Sequence, residues 1–166
     1  MSGNFPEQHA VVIRDTRWKL VEHIRVSSTP ATAGSKRAFH SKKTGKTWIT
    51  DDCTRGKEWR ATVRAAAERQ RITRELYAGP LMLHVQFWLQ RPKSHYRTGK
   101  FSEMLKLGAP KWPTKKPDAT KLLRAIEDAL TGVLWVDDAQ IVTQVVQKTY
   151  GPLPGALVRL YTFNED

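Results

Sequence analysis

The chain has 166 residues, and its 28 Lys and Arg against 16 Asp and Glu give a formal net charge of +12. That length fits one domain with a real core, and that charge fits a polyanionic partner, nucleic acid or an anionic membrane surface. The one cysteine, Cys53, excludes an internal disulfide framework and any zinc site built on paired cysteines, so a bound metal must rely on oxygen ligands. No window approaches a spanning helix. Residues 1–16 show no signal-peptide pattern and read as a flexible N-terminal extension, so the expected location is the cytoplasm.

In chain order, Trp18–Val26 is rich in strand formers and reads as a strand, followed by a loop over Ser27–Gly34. Thr47–Thr50 reads as a short strand, with Asp51 or Asp52 placed to cap the segment after it. Lys57–Leu76 has helix formers and a basic surface, which suits either a solvated face or a phosphate-contacting one. Pro80–Gln90 is an apolar run of the length of a buried strand, and His84 within it reads as a packed core residue. From Arg91 to Pro117 the chain carries eight Lys or Arg and one acid, Glu103, among repeated Pro and Gly. This reads as a long basic loop. Tyr96, Phe101 and Trp112 interleave with its charges, as suits a nucleic-acid surface in which cations hold phosphates and rings stack on bases. A tether whose aromatics dock on the core is the other reading.

Asp118–Thr131 has the strongest helical pattern, with Leu122, Ile126, Ala129 and Leu130 forming one apolar stripe and Gly132 placed to end it in a left-handed cap. Ala139–Tyr150 reads as a strand, Gly151–Gly155 as a turn, and Ala156–Phe163 as a final strand pairing antiparallel with its predecessor. The whole reads as an α+β single domain, a mixed β-sheet packed against helices, with the basic loop over 91–117.

Five of the sixteen acids, Asp118, Glu127, Asp128, Asp137 and Asp138, lie within 21 positions of this basic chain. A divalent cation would neutralise such a group, and magnesium takes oxygen ligands together with substrate phosphates. Each acid also has a structural reading. Asp118 is a good N-cap, Asp128 is spaced to pair with Arg124, and Asp137-Asp138 suits a polar turn.

The run Lys116-Pro-Asp-Ala-Thr-Lys-Leu-Leu-Arg-Ala-Ile-Glu-Asp-Ala-Leu-Thr-Gly-Val-Leu-Trp-Val-Asp-Asp-Ala-Gln-Ile-Val142 resembles the central motif of the RusA-like Holliday junction resolvases. In that family an Asp-x-Asp-Asn start leads into a helix carrying a lysine, then Asp-Ala-Leu, then Asp-Asp-Ser/Ala-Gln-Val entering a strand. By position Asp118 and Asp138 correspond to the first and last metal-binding aspartates, with Asp137 and Asp128 as further ligands or orienters of metal-bound water. Thr120 stands where the family has its second aspartate, Lys121 where it has asparagine, and Arg124 where it has lysine. Either Thr120 then binds through its hydroxyl or a water, or Asp128 or Asp137 replaces the charge, or the metal site is weakened.

The resemblance implies a homodimeric endodeoxyribonuclease that nicks four-way DNA junctions with Mg²⁺, or with Mn²⁺ in its place, and uses no small-molecule cofactor. Catalytic roles are implied for Asp118, Asp138, Asp128, Asp137, Arg124 and Lys121. Lys93, Arg97, Lys100, Lys111, Lys115 and Lys116 are the expected DNA contacts. A branched-DNA-binding protein without catalysis is the alternative, motivated by Thr120.

Overall fold

A run such as Pro80–Gln90, apolar everywhere but His84, Gln86 and Gln90, carries large apolar side chains on both of its faces, so it belongs at the centre of a sheet with both faces covered. The computed structural model, which describes residues 16–33, 36–40, 44–51 and 54–164, places it there. Strand β1 is Trp18–Val26, β2 Lys36–His40, β3 Thr47–Asp51, β4 Leu81–Gln90, β5 Ile141–Gly151 and β6 Gly155–Phe163; helices α1 and α2 are Thr54–Gln70 and Ala119–Leu130. The main sheet has the order β1-β6-β4-β5, and β2 and β3 form a separate antiparallel pair. Strand β4 runs parallel to β5 and antiparallel to β6, and β6 runs antiparallel to β1. The fold is a single α+β domain with a mixed sheet, as its residue pattern predicts.

The hairpin expected between the last two strands does not form. Strand β4, buried at nine of its ten positions, lies between β5 and β6. Its apolar run takes the interior place, and Pro152 and Pro154 remove two N–H groups from the connection that a tight hairpin would need. The connection instead crosses the end of β4 at close range. A Cβ on Gly151 would lie 2.9 Å from the Trp88 side chain, and one on Gly155 would lie 2.6 Å from the Val26 carbonyl oxygen, so both crossing points require glycine.

One layer of helix covers one face. Leu81, Leu83, Val85 and Phe87 of β4 meet Trp59, Val63, Ala66 and Ala67 of α1 and Leu122, Ile126 and Leu130 of α2 in one core. Each of those fully buried leucines contributes ~1.5–3 kcal/mol relative to exposure. Helix α1 begins three residues earlier than its pattern suggests and ends at Gln70 rather than Leu76. Its stop is set by Glu22, a buried carboxylate on β1 that accepts the Ile72 N–H at 3.0 Å and the Tyr77 hydroxyl at 3.0 Å. Burial, then that bond and the Glu22 charge, push the Tyr77 hydroxyl up to about 12. Asp51 closes β3, while Asp52, Cys53 and residues 1–15 of the expected extension lie outside the described residues.

His84 is buried as expected, and its Nε2 has no hydrogen-bond partner. Burial, and next the Arg159 charge facing it from β6, hold its pKa below the ordinary histidine value. The folded protein therefore resists a proton that the unfolded chain accepts. Stability should be full above pH ~6.5 and fall as pH drops below it, levelling off once the folded-state pKa is reached. Urea midpoints at pH 7.5 and pH 5.5 should differ less in His84→Gln than in the parent chain.

Among the described residues, no helix is long and apolar enough to cross a membrane.

Candidate active site

The first candidate carboxylate is fixed from both sides of a chain turn. Asp118 occupies the N-cap of α2 with extended backbone, φ −73° and ψ 138°, but its side chain caps no backbone N–H. The expected capping bond is absent because the carboxylate leans to Lys121, whose Nζ lies 3.8 Å from Oδ2. About half of the Asp118 side chain is exposed, so its oxygens stay available to a ligand.

Lys148 of β5 holds the chain in front of it. Its ammonium donates to the Lys115 and Pro117 carbonyl oxygens, both at 2.8 Å, spanning the cis Lys116–Pro117 peptide. Lys148→Met should release both carbonyls and cost roughly 1.5–3 kcal/mol, the range for bonds to a charged donor. Urea unfolding would read that loss, and a midpoint equal to the parent's would remove Lys148 from this role.

At the far end of α2 the chain is latched by glutamine. Gln140 accepts the Val136 and Asp137 N–H groups at 3.0 and 3.1 Å, and donates to the Tyr77 and Gly79 carbonyls at 3.1 and 3.3 Å. Asp137 accepts the Ala139 N–H at 2.8 Å and closes a capping box on the short 3₁₀ turn Asp138–Gln140. Strand β5 thus starts at Ile141, two residues later than its β-branched pattern suggests. The structural reading of Asp137 is realised, while the exposed Asp138 takes part in none of these bonds. Gly132 has φ 73°, the left-handed cap its position predicts.

Glu127 gathers this acidic end. Burial raises its pKa, followed by the Asp138 charge and, more weakly, by Asp128; the Gln144 bond and Arg124 oppose the shift. The Gln144 amide of β5 donates to its Oε1. Glu127, Asp128 and Asp138 therefore share one electrostatic neighbourhood, in which negative charges oppose one another. Carboxylate oxygens are the ligand type Mg²⁺ takes, one or two at a time with water and phosphate oxygens completing its shell, but these three acids do not by themselves converge on one ion.

The four aspartates of the sequence motif are not brought together within one chain. Asp128 stands ten residue steps along the helix from Asp118, ~15 Å along the axis. Among the described residues, no group of three or more His, Cys, Asp or Glu stands close enough to hold a metal ion. Lys121 and Arg124 lie exposed between the two acidic ends, and among the described residues no ion pair joins Arg124 to Asp128. Thr120 is exposed on the same helix.

The basic segment 91–117 folds against β5. Arg91 stacks its guanidinium 4.2 Å from the centre of the Tyr150 ring and donates to the Pro110 carbonyl at 2.7 Å. His95 meets the same ring edge-on at 5.6 Å. Lys106 donates to the Ser94 carbonyl at 2.8 Å, and Tyr96 bridges to Leu105. The segment is thereby docked at both halves, with Lys93, Tyr96 and Arg97 lining an open cavity of ≈ 670 Å³ beside Gly151 and Pro152. Lys100 lies over Phe101 and Lys111 near Trp112, and both rings are partly exposed. Lys115 and Lys116 are exposed immediately before the turn into Asp118.

Four residues of this arrangement were given no role by the sequence. Lys148 and Gln144 act through hydrogen bonds that only the packing of β5 against α2 and the preceding segment creates, while Gln140, the last residue of Asp-Asp-Ala-Gln, latches its own turn to the Tyr77 and Gly79 carbonyls. Glu127 had a visible signal, its place among the five clustered acids.

Comparison with known proteins gives two findings. A family model described as "Endodeoxyribonuclease RusA" matches residues 29–161. A Bacillus subtilis (strain 168) protein named "Uncharacterized protein YqaN" is 29% identical over 129 residues, covering 78% of this chain and 87% of that one.

Proposed function

Because the chain belongs to the RusA endodeoxyribonuclease family, we propose that it resolves four-way DNA junctions by paired symmetric nicks, as a Mg²⁺-dependent homodimer serving recombination and repair. The observation that carries this reading is the gathering of Glu127, Asp128, Asp137 and Asp138 at the end of α2, inside the segment the family model matches, in a chain of net charge +12. DNA binding alone has no use for clustered negative charge.

In this reading Lys93, Arg97, Lys100, Lys111, Lys115 and Lys116 hold the DNA backbone and lead it toward Asp118. Asp118 and Asp138 hold the metal, with Asp128 beside them, while Asp137 keeps the turn that presents Asp138. A bound magnesium or manganese ion supplies polarisation of the phosphoryl oxygens and a lowered pKa for the attacking water. Lys121 and Arg124 stabilise the extra negative charge that develops on the phosphorus oxygens. Arg124 remains a fixed cation throughout, since a guanidinium does not give up its proton in this pH range. The proton for the departing 3′ oxygen therefore comes from another donor.

The test is incubation of a labelled four-way junction with Mg²⁺, and in parallel with EDTA. Paired nicks that need the metal are expected. Six phosphate contacts per chain, twelve per dimer, predict a plot of log affinity against log salt with a slope of about −11. Tight, salt-sensitive junction binding with no metal-dependent nick would overturn the nuclease reading and establish the non-catalytic one.

A further inference from the structure

Helices cover one face of the main sheet and leave the other as a second surface. Side chains alternate along β6: Ala156, Val158 and Leu160 enter the core with α1 and α2, while Arg159 and Tyr161 project from the back. Gln144, Lys148 and Tyr150, which hold the acidic end of α2, the approach to Asp118 and the basic segment, stand on the helix side of β5, opposite Leu83, Phe87 and Leu89 in the register. The back is thus a separate surface from the candidate active site.

On the back, His84 and Gln86 of β4 are buried, and the open strip runs along β1 and β6. At one end of the strip Trp18 is paired with Phe163, the two rings edge-to-face with centres 5.1 Å apart, and Tyr161 stands in the next row. At the other end His23, Arg159 and His84 lie in one row across β1, β6 and β4, with Arg25 in the row beyond. Trp18, Phe163, Tyr161 and Arg159 are partly exposed, and His23 and Arg25 are exposed.

Arg159 is the informative member of this strip. Its charge reaches both His84 and Tyr161, yet among the described residues its guanidinium has no hydrogen bond or ion pair. The one acid in the four strands, Glu22, faces the other way and is bound to Ile72 and Tyr77. Cationic groups set opposite one another in a sheet repel. Nothing the strands present on the back offsets that repulsion, so an anion from outside would.

We propose that the back of the sheet binds single-stranded DNA, with Arg159 on a phosphate and Tyr161 and Trp18 stacked on bases. The site stands apart from the nuclease reading and needs no metal. Cations select a polyanion, and rings beside them select bases whose faces are open. A single strand shows those faces, a duplex keeps them stacked inside, and a four-stranded sheet with rings on its open face is a platform on which single strands lie. An acidic peptide would satisfy Arg159 and leave the rings unused. The strand is DNA because the family acts on deoxyribonucleic acid.

The experiment follows the anisotropy of fluorescein-labelled oligo(dT) with the full-length chain in EDTA, where no metal-dependent nick interferes. Arg159→Gln should make the plot of log affinity against log salt shallower by ~0.7, the share of one phosphate on a single strand. Arg159→Lys, which keeps the charge, should keep the slope. Tyr161→Leu should weaken binding about 5-fold or more, while Tyr161→Phe, which keeps the ring, should stay within about two-fold of the parent. A duplex of the same length should bind equally to the parent and to each variant. Oligo(dT) carrying 5-bromouracil should cross-link under ultraviolet light to Trp18 or to the peptide 155–163. Cross-links confined to 91–117, an unchanged slope in Arg159→Gln, equal weakening of duplex and single strand, or tighter binding of oligo(U) than of oligo(dT) would each overturn the proposal.

Discussion

Replacing Asp138 by Asn should lower junction nicking by about 100-fold or more while leaving junction binding near the parental level. The threshold follows from scale: losing a partner that only orients a metal ligand typically costs 10–100-fold, and a ligand itself should cost at least the top of that range. The Asp138 side chain is exposed and takes no part in the hydrogen bonds that hold its turn, to which Asp138 contributes only its backbone carbonyl, accepting the Ile141 N–H, and it acts on Glu127 through charge. The substitution thus removes charge without removing structure. Asp137 supplies the contrast. Its Oδ1 accepts the Ala139 N–H, so Asp137→Asn keeps a capping oxygen and should preserve the fold, whereas Asp137→Ala should cost ~1 kcal/mol. Single-turnover nicking together with a binding titration separates the two effects. Equal nicking in Asp138→Asn and the parent would remove Asp138 from the metal site.

Trp135→Ala should be the most destabilising single change near the site, by ~3–5 kcal/mol, the usual cost of emptying a buried tryptophan position. Trp135 is fully buried, donates from its indole N–H to the Thr131 hydroxyl at 3.1 Å, and accepts the Gly132 N–H at 2.7 Å through its carbonyl. It therefore holds closed the turn that comes after α2 and leads to Asp137 and Asp138. At roughly 2–4 °C per kcal/mol for a chain of this size, the loss corresponds to a Tm lower by ~6–20 °C. Trp135→Phe, which keeps most of the volume and loses the indole bond, should cost far less. Calorimetry distinguishes these outcomes, and equal losses in both variants would show that the hydrogen bond rather than the packing is decisive.

The local elements were legible because each carried its own periodic signal. Trp18–Val26 alternates, Pro80–Gln90 is mostly apolar, and Leu122, Ile126, Ala129 and Leu130 recur on one helical face; the strands and helix they predict are present. The strand order was not legible, since which neighbour β6 prefers depends on β4 competing for the interior. The end of α1 was equally hidden, because Glu22, fifty positions away, captures the Ile72 N–H. At the site, residue types and motif spacing identified Asp118 and Asp138 as candidates. They could not reveal that α2 keeps those two apart, because a distance along the sequence carries no direction until the helix is placed on the sheet.

Strand β5 makes this site intolerant of small changes in length. Gln144 reaches Glu127, Lys148 reaches the Pro117 carbonyl, and Tyr150 lies beneath Arg91. All three positions are even-numbered, so they project from one side of the strand. Deleting one residue at the start of β5 would turn all three to the other side at once and release the acidic end of α2, the approach to Asp118 and the basic segment together. The same deletion inside 98–103, a surface turn, would disturb none of them directly. Related chains should therefore vary freely in the length of that turn and hold the count from Asp138 to Tyr150 fixed.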